Sequence, residues 1–121
     1  MLTGERLAPV HPGDILRDHF LPDLGITAYR LAKGTGISST HVHALLRGER
    51  GVTATTARRL GAYLGTTPEY WLDLQQQYDL EVSDTPEMQA ALARIVTHPQ
   101  AAAVLTAAQA ESTLNALPMA A

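Results

Sequence analysis

Between positions 12 and 80, apolar residues recur at intervals of three and four, and residues that start or stop helices bracket each run. Pro12 suits a first helical turn, and Ile15, Leu16, His19 and Phe20 follow on one predicted buried face, with Pro22 and Gly25 as the stop. Thr27 is placed to cap a helix over 28–33 that buries Leu31 and Ala32 before Gly34 and Gly36 break it. Ser38 opens a third helix to Arg47, with Val42, Leu45 and Leu46 inward and Gly48 behind it. Thr53 caps a fourth, in which Ala57, Leu60 and Leu64 form the stripe and Gly65 closes the end. Thr67-Pro68-Glu69 opens a fifth, along which Tyr70, Trp71, Leu74 and Tyr78 share a side and are candidates for core or dimer contact.

Beyond Val82 the pattern thins. Asp84-Thr85-Pro86-Glu87 predicts a further start, carrying Met88, Leu92, Ile95 and Val96 until His98-Pro99 interrupts. The Ala-rich remainder favours helix but has too few large apolar side chains for a core of its own. The expected division is a loose arm over 1–10, a helical domain over 11–82 and an Ala-rich helical extension over 83–121. With 45% hydrophobic but only 5% aromatic residues, and no strand signal or repeat, the chain is expected to be all-α. It has no cysteine, hence no disulfide, thiolate metal site or cysteine nucleophile. The absence of a long apolar run and of a secretion signal gives a cytoplasmic, non-membrane expectation.

The net charge of −3 conceals a split that bears on function: residues 1–66 carry eight Lys/Arg against five Asp/Glu, residues 67–121 one against seven. Within 25–66 the cations Arg30, Lys33, Arg47, Arg50, Arg58 and Arg59 face one acid, Glu49. A positive block of this kind suits a phosphate backbone.

That block coincides with Ala32, Gly36 and Val42, a spacing with mechanical content. Two helices crossing closely need a small residue on the first, a turn residue tolerating positive φ, and an apolar anchor on the second, which is the framework of a helix-turn-helix. In such a motif the second helix enters the major groove and its N-terminal outward residues meet base edges. The base-reading candidates are therefore Ser38, Ser39, Thr40, His43, Ala44 (for a thymine methyl) and Arg47, while Arg30, Lys33, Arg50, Arg58 and Arg59 are the phosphate candidates. For any one of these cations, an ordinary solvated charge is the competing reading.

Other chemistry finds little support. His41 and His43 lie two apart on a helix and point roughly 200° apart, so one metal would not take both. Asp14, Asp18 and Asp79 lack a pocket to converge in, and Gly34-Thr35-Gly36 lacks the lysine and strand of a phosphate loop. No enzyme, metal or cofactor is expected. His11 reads as a cap or packing residue beside Pro12, and His19 as half-buried.

The runs HPGDILRDHFL, ITAYRLAKGTGIS and LLRGERGVTATTARRLGAYLGTTPEYWLDLQQQYDLEV resemble the HigA/VapI family of addiction-module antitoxins, a branch of the XRE, phage repressor-like helix-turn-helix proteins. The resemblance spans about 11–82, and its most specific pieces are His11-Pro12-Gly13, Arg47-Gly48-Glu49-Arg50-Gly51, and Thr67 to Leu72 followed by Tyr78-Asp79-Leu80. It implies a five-helix lambda repressor-like domain, a homodimer that binds the palindromic operator of its own operon, and neutralisation of a HigB/RelE-like toxin that cleaves messenger RNA. By position it makes the helix from Ser38 to Arg47 the reader and that from Pro68 to Leu80 a candidate for dimer contact. Ala28 stands where relatives often place Gln, and Glu49 where Lys or Arg is frequent. The alternatives are a stand-alone XRE regulator without a toxin, and an interaction module whose acidic half captures a basic protein.

Overall fold

A computed structural model of the chain describes the backbone of residues 8–116 and side chains from 8 to 113. Most of the arm, 1–7, and the end of the extension, 117–121, lie outside the described residues. The chain forms two compact units, Met1–Thr85 and Pro86–Ala121.

In the first unit the helices are α1 (Pro12–Ile15), a π turn (Leu16–Phe20), α2 (Leu21–Leu24), α3 (Ala28–Thr35), α4 (Ser39–Leu46), α5 (Ala54–Leu64) and α6 (Pro68–Ser83). Four caps fall where the sequence puts them. The hydroxyls of Thr27, Ser38, Thr53 and Thr67 accept from the backbone N–H groups of Arg30, His41, Thr56 and Tyr70 at 3.1–3.3 Å. Each satisfies a donor that a helix start leaves without an intrahelical partner.

The first helical segment departs from expectation. Pro22 does not stop it; α1, the π turn and α2 run on to Leu24, and Gly25 alone turns the chain, at φ 65°. Pro22 has no N–H to donate and its ring would crowd the carbonyl four residues back, so the backbone widens before it, with Leu21 N–H bonding to the Leu16 carbonyl. A π turn takes an extra residue per turn, so the three-and-four register fails across it. Leu16 is fully buried and Ile15 and Phe20 half-buried, whereas His19 is exposed, contrary to its predicted place. α3 also runs two residues beyond expectation, through Gly34 to Thr35.

These helices enclose Leu16, Leu31, Ala32, Ile37, Val42, Leu45, Leu46, Val52, Ala57, Leu60 and Trp71. Trp71, fully buried, packs on Phe20 with ring centroids 5.3 Å apart and donates its indole N–H to the Thr66 hydroxyl at 2.6 Å. Burying it without that partner would leave a donor stranded. Of the other α6 aromatics, Tyr78 is half-buried and Tyr70 is exposed, touching Trp71 edge to face at 5.0 Å. Gly13 lets α1 lie against the end of α4, since a Cβ there would fall on the Leu45 carbonyl.

The second unit contains α7 (Pro86–Ala93) and α8 (Ala101–Ala116). α7 ends before Ile95 and Val96, which the sequence pattern placed on it. Every described side chain from 86 to 113 is exposed.

Candidate nucleic-acid interface

α3 and α4 cross as the Ala32, Gly36, Val42 spacing requires. Ala32 is 7% exposed and Val42 fully buried, and Gly36 turns the chain at φ 78°. A side chain at 36 would be strained by that φ and would also meet the Arg59 guanidinium, 2.6 Å from the position of a Cβ. α4 therefore packs one face on the core and turns the N-terminal rim of the other to solvent.

Ser38, Ser39, Thr40 and His43 are all exposed on that rim. The Ser38 oxygen is engaged as the cap of α4, which leaves its hydroxyl proton free to donate. Ala44 is a correction. At 9% exposed it belongs to the buried face with Leu45 and Leu46, because one residue past His43 the helix has already rotated toward the core.

The cations fall into two groups. Arg30, Lys33, Arg50 and Arg58 are exposed and form no ion pair among the described residues; Lys33 also lies 5.8 Å over the Tyr29 ring. Arg47 and Arg59 are committed in the unbound chain. Arg47 pairs with Glu49 at 3.0 Å, and this contact holds the Glu49 carboxyl below its ordinary acidity range. The pair is more than half exposed, so water screens it and a competing phosphate can open it. Arg59, expected to be free for a phosphate, instead donates to the Thr35 carbonyl at 3.0 Å and so caps the end of α3. Arg58 and Arg59 line a cleft with Gly34, Thr35, Ala62 and Tyr63.

Sequence reasoning missed Arg17 at the end of α4, whereas His11, read as a cap or packing residue, is both. Arg17 donates to the Leu46 carbonyl at 3.2 Å and pairs with Asp14 at 3.1 Å. His11 is 4% exposed; its Nδ1 accepts from Gly13 N–H at 2.9 Å, and its backbone N–H donates to the Asp14 carboxylate at 3.1 Å. Its ring meets Tyr78 edge to face at 4.9 Å and lies beside Gly48, 3.8 Å from where a Cβ would stand. Burial pushes the His11 imidazole below its usual value, against the opposing pull of Asp14, the Arg50 backbone and Asp79. His41 is lowered too, by burial and by the charge of Arg50. The signal for this cluster was in the sequence, since the specific family pieces at 11–13 and 47–51 meet here with Tyr78 and Asp79 from the third. Among the described residues no three His, Cys, Asp or Glu gather to hold a metal, and no helix is long and apolar enough to cross a membrane.

Residues 18–77 match the family model described as the Cro/C1-type HTH DNA-binding domain. Virulence-associated protein I of Dichelobacter nodosus is 40% identical over 75 residues, covering 62% of this chain and 69% of that one. Antitoxin HigA-1 of Vibrio cholerae is 44% identical over 73 residues, covering 60% and 68%. A solved structure described as Pseudomonas aeruginosa antitoxin HigA with higBA promoter superposes with a TM-score of 0.69 at 35% identity, covering 74% of this chain and 97% of that one. The matched proteins are helix-turn-helix antitoxins and regulators, not enzymes. With framework, caps and relatives in agreement, the chain belongs to the HigA/VapI family of Cro/C1-type helix-turn-helix proteins.

Proposed function

We propose that this protein is a cytoplasmic antitoxin-repressor. As a homodimer it reads a palindromic operator in its own promoter through α4, and it neutralises a HigB/RelE-like toxin that cleaves messenger RNA. The observation that carries the DNA part is the exposed rim of Ser38, Ser39, Thr40 and His43 beside unpaired Arg30, Lys33 and Arg50. Hydroxyls and an imidazole suit base edges, and the cations suit the flanking phosphates. Two half-sites one helical turn apart give a small reader adequate affinity, which is the reason for a dimer, with Tyr70 and Leu74 of α6 as contact candidates. A described relative in complex with a higBA promoter supports the same reading. The toxin part rests on the family and on complementary charge: residues 67–121 carry seven acids against one cation, a composition suited to a basic partner.

A titration with duplex from immediately upstream of the gene tests the first part. Affinity falls as salt rises, and Arg47→Ala weakens it; indifference to salt or an unaffected variant overturns the reading. Co-expression with the adjoining gene tests the second, with co-purification as the expected result.

A further inference from the structure

Between α4 and α5 the chain carries Arg47, Glu49 and Arg50 past the reading helix, and its first residues are still tied to that helix. Gly48 N–H bonds to the Leu45 carbonyl at 3.0 Å, and Glu49 N–H to the Ala44 carbonyl at 2.9 Å. From Arg50 onward the anchoring comes from elsewhere. Val52 N–H donates to Gln75 Oε1 of α6 at 2.7 Å, and Gln75 Nε2 donates to Asp79 one turn further on at 2.9 Å. A carboxylate oxygen accepts, so the bond from Gln75 Nε2 to Asp79 turns the amide oxygen toward the loop. Gly51 completes the fit, because a Cβ there would stand 2.9 Å from the Gln75 amide carbon. On the other side the His11 ring, from the start of α1, lies against the loop at Gly48, 3.8 Å from where a Cβ would stand. Val52 itself is 5% exposed and plugged into the core.

We propose that Gln75, oriented by Asp79, is a positioning residue for DNA recognition. From α6 it sets the path of the Arg50–Val52 backbone and hence the direction in which Arg50 meets a phosphate. The inference rests on the DNA-binding reading above and deepens it. Arg50 has no ion-pair partner among the described residues, so nothing at its charged end directs it; its aim comes from the backbone that carries it. A loop released from Gln75 would keep its charge and lose its direction, and a phosphate contact is sensitive to direction because its hydrogen bonds are.

The test uses the full chain and the duplex from upstream of its gene. Gln75→Leu removes both hydrogen bonds at nearly constant volume. The double variant Gln75→Glu with Asp79→Asn exchanges amide and carboxylate, keeping the net charge, the acceptor for Val52 N–H and a bond between the two side chains. For Q75L the expected result is roughly a tenfold weaker complex, with the slope of log affinity against log salt shallower by about one. The swapped pair restores affinity to within about threefold and restores the slope. A merely structural role would lower the unfolding temperature and leave the salt slope of the folded fraction unchanged; that result overturns the proposal, as does a folded swapped pair that binds like Q75L. Should Q75L fail to fold, Asp79→Asn alone, which keeps an acceptor for Gln75 Nε2 but removes its charge, is expected to lie between wild type and Arg50→Ala in slope; wild-type behaviour there overturns the proposal. If the wild-type chain shows no preference for the duplex, the DNA reading itself has failed, which the wild-type arm reports separately.

Discussion

Both units of this chain are helical, but for different reasons. In Met1–Thr85 the helices are held by what they bury: large apolar side chains at zero exposure, including Leu16, Leu31, Leu45, Leu60 and Trp71, with caps on the helix starts. In Pro86–Ala121 the composition favours helix and every described side chain from 86 to 113 is exposed, with Ile95 and Val96 at 68% and 88%. The first unit shows structure secured by burial and the second structure drawn from backbone propensity. An isolated helix of that length is marginal in water, so the two should respond very differently to the same kind of change.

Trp71→Ala is the largest expected break in the first unit. Deleting a fully buried tryptophan costs about 3–5 kcal/mol, a large share of a small domain's stability, and also strands the Thr66 hydroxyl. Denaturant unfolding should show most of the chain's cooperative transition displaced or lost. The matched change in the second unit, Leu105→Ala, should alter that transition by no more than about 0.5 kcal/mol. A large effect there would mean that α8 is covered by something.

Gly36→Ala comes next. The positive φ and the Arg59 guanidinium both oppose a Cβ, for about 1–3 kcal/mol, whereas a Gln100→Ala exchange at the exposed start of the second unit's last helix should be close to neutral. Thr53→Ala removes the cap of α5 and should cost about 1 kcal/mol.

The smallest effect is with pH. His11 and His41 are both lowered from 6.5 in the folded chain, so the unfolded chain binds more protons as the medium acidifies. Their contribution to stability is therefore present above 6.5 and is lost as pH falls through their folded values. The unfolding temperature of the first unit should fall from pH 7 to 5, and His11→Asn should flatten that dependence; an unfolding temperature that rises on acidification would reverse the sign.

What the sequence reveals follows the same contrast. Thr27, Ser38, Thr53 and Thr67 act within three residues of themselves, and an effect that local is legible in a string of letters. So is the Ala32, Gly36, Val42 framework, because helix crossing imposes its spacing. The π turn was not legible, since Pro22 reads as a stop, and a backbone that instead widens before it, with Leu21 N–H bonded to the Leu16 carbonyl, leaves no mark in the residue types. The burial of Ala44 and the capture of Arg59 by the Thr35 carbonyl escaped for a similar reason: residue type marks a surface position, but only the fold says which side chain is already engaged. Gln75 meets Val52 across 23 positions, a contact no periodicity encodes.

The central claim, that the rim of α4 reads sequence, is tested most directly by competition between the upstream duplex and a scrambled duplex of equal length and composition. Wild type is compared with the variant in which Ser39, Thr40 and His43 are all alanine. The account predicts that the wild-type chain prefers the upstream duplex and that the variant loses that preference by about tenfold or more, since each lost base contact is worth roughly 1–3 kcal/mol. The variant should keep the salt dependence supplied by Arg30, Lys33 and Arg50. An unchanged preference in the folded variant would contradict the account.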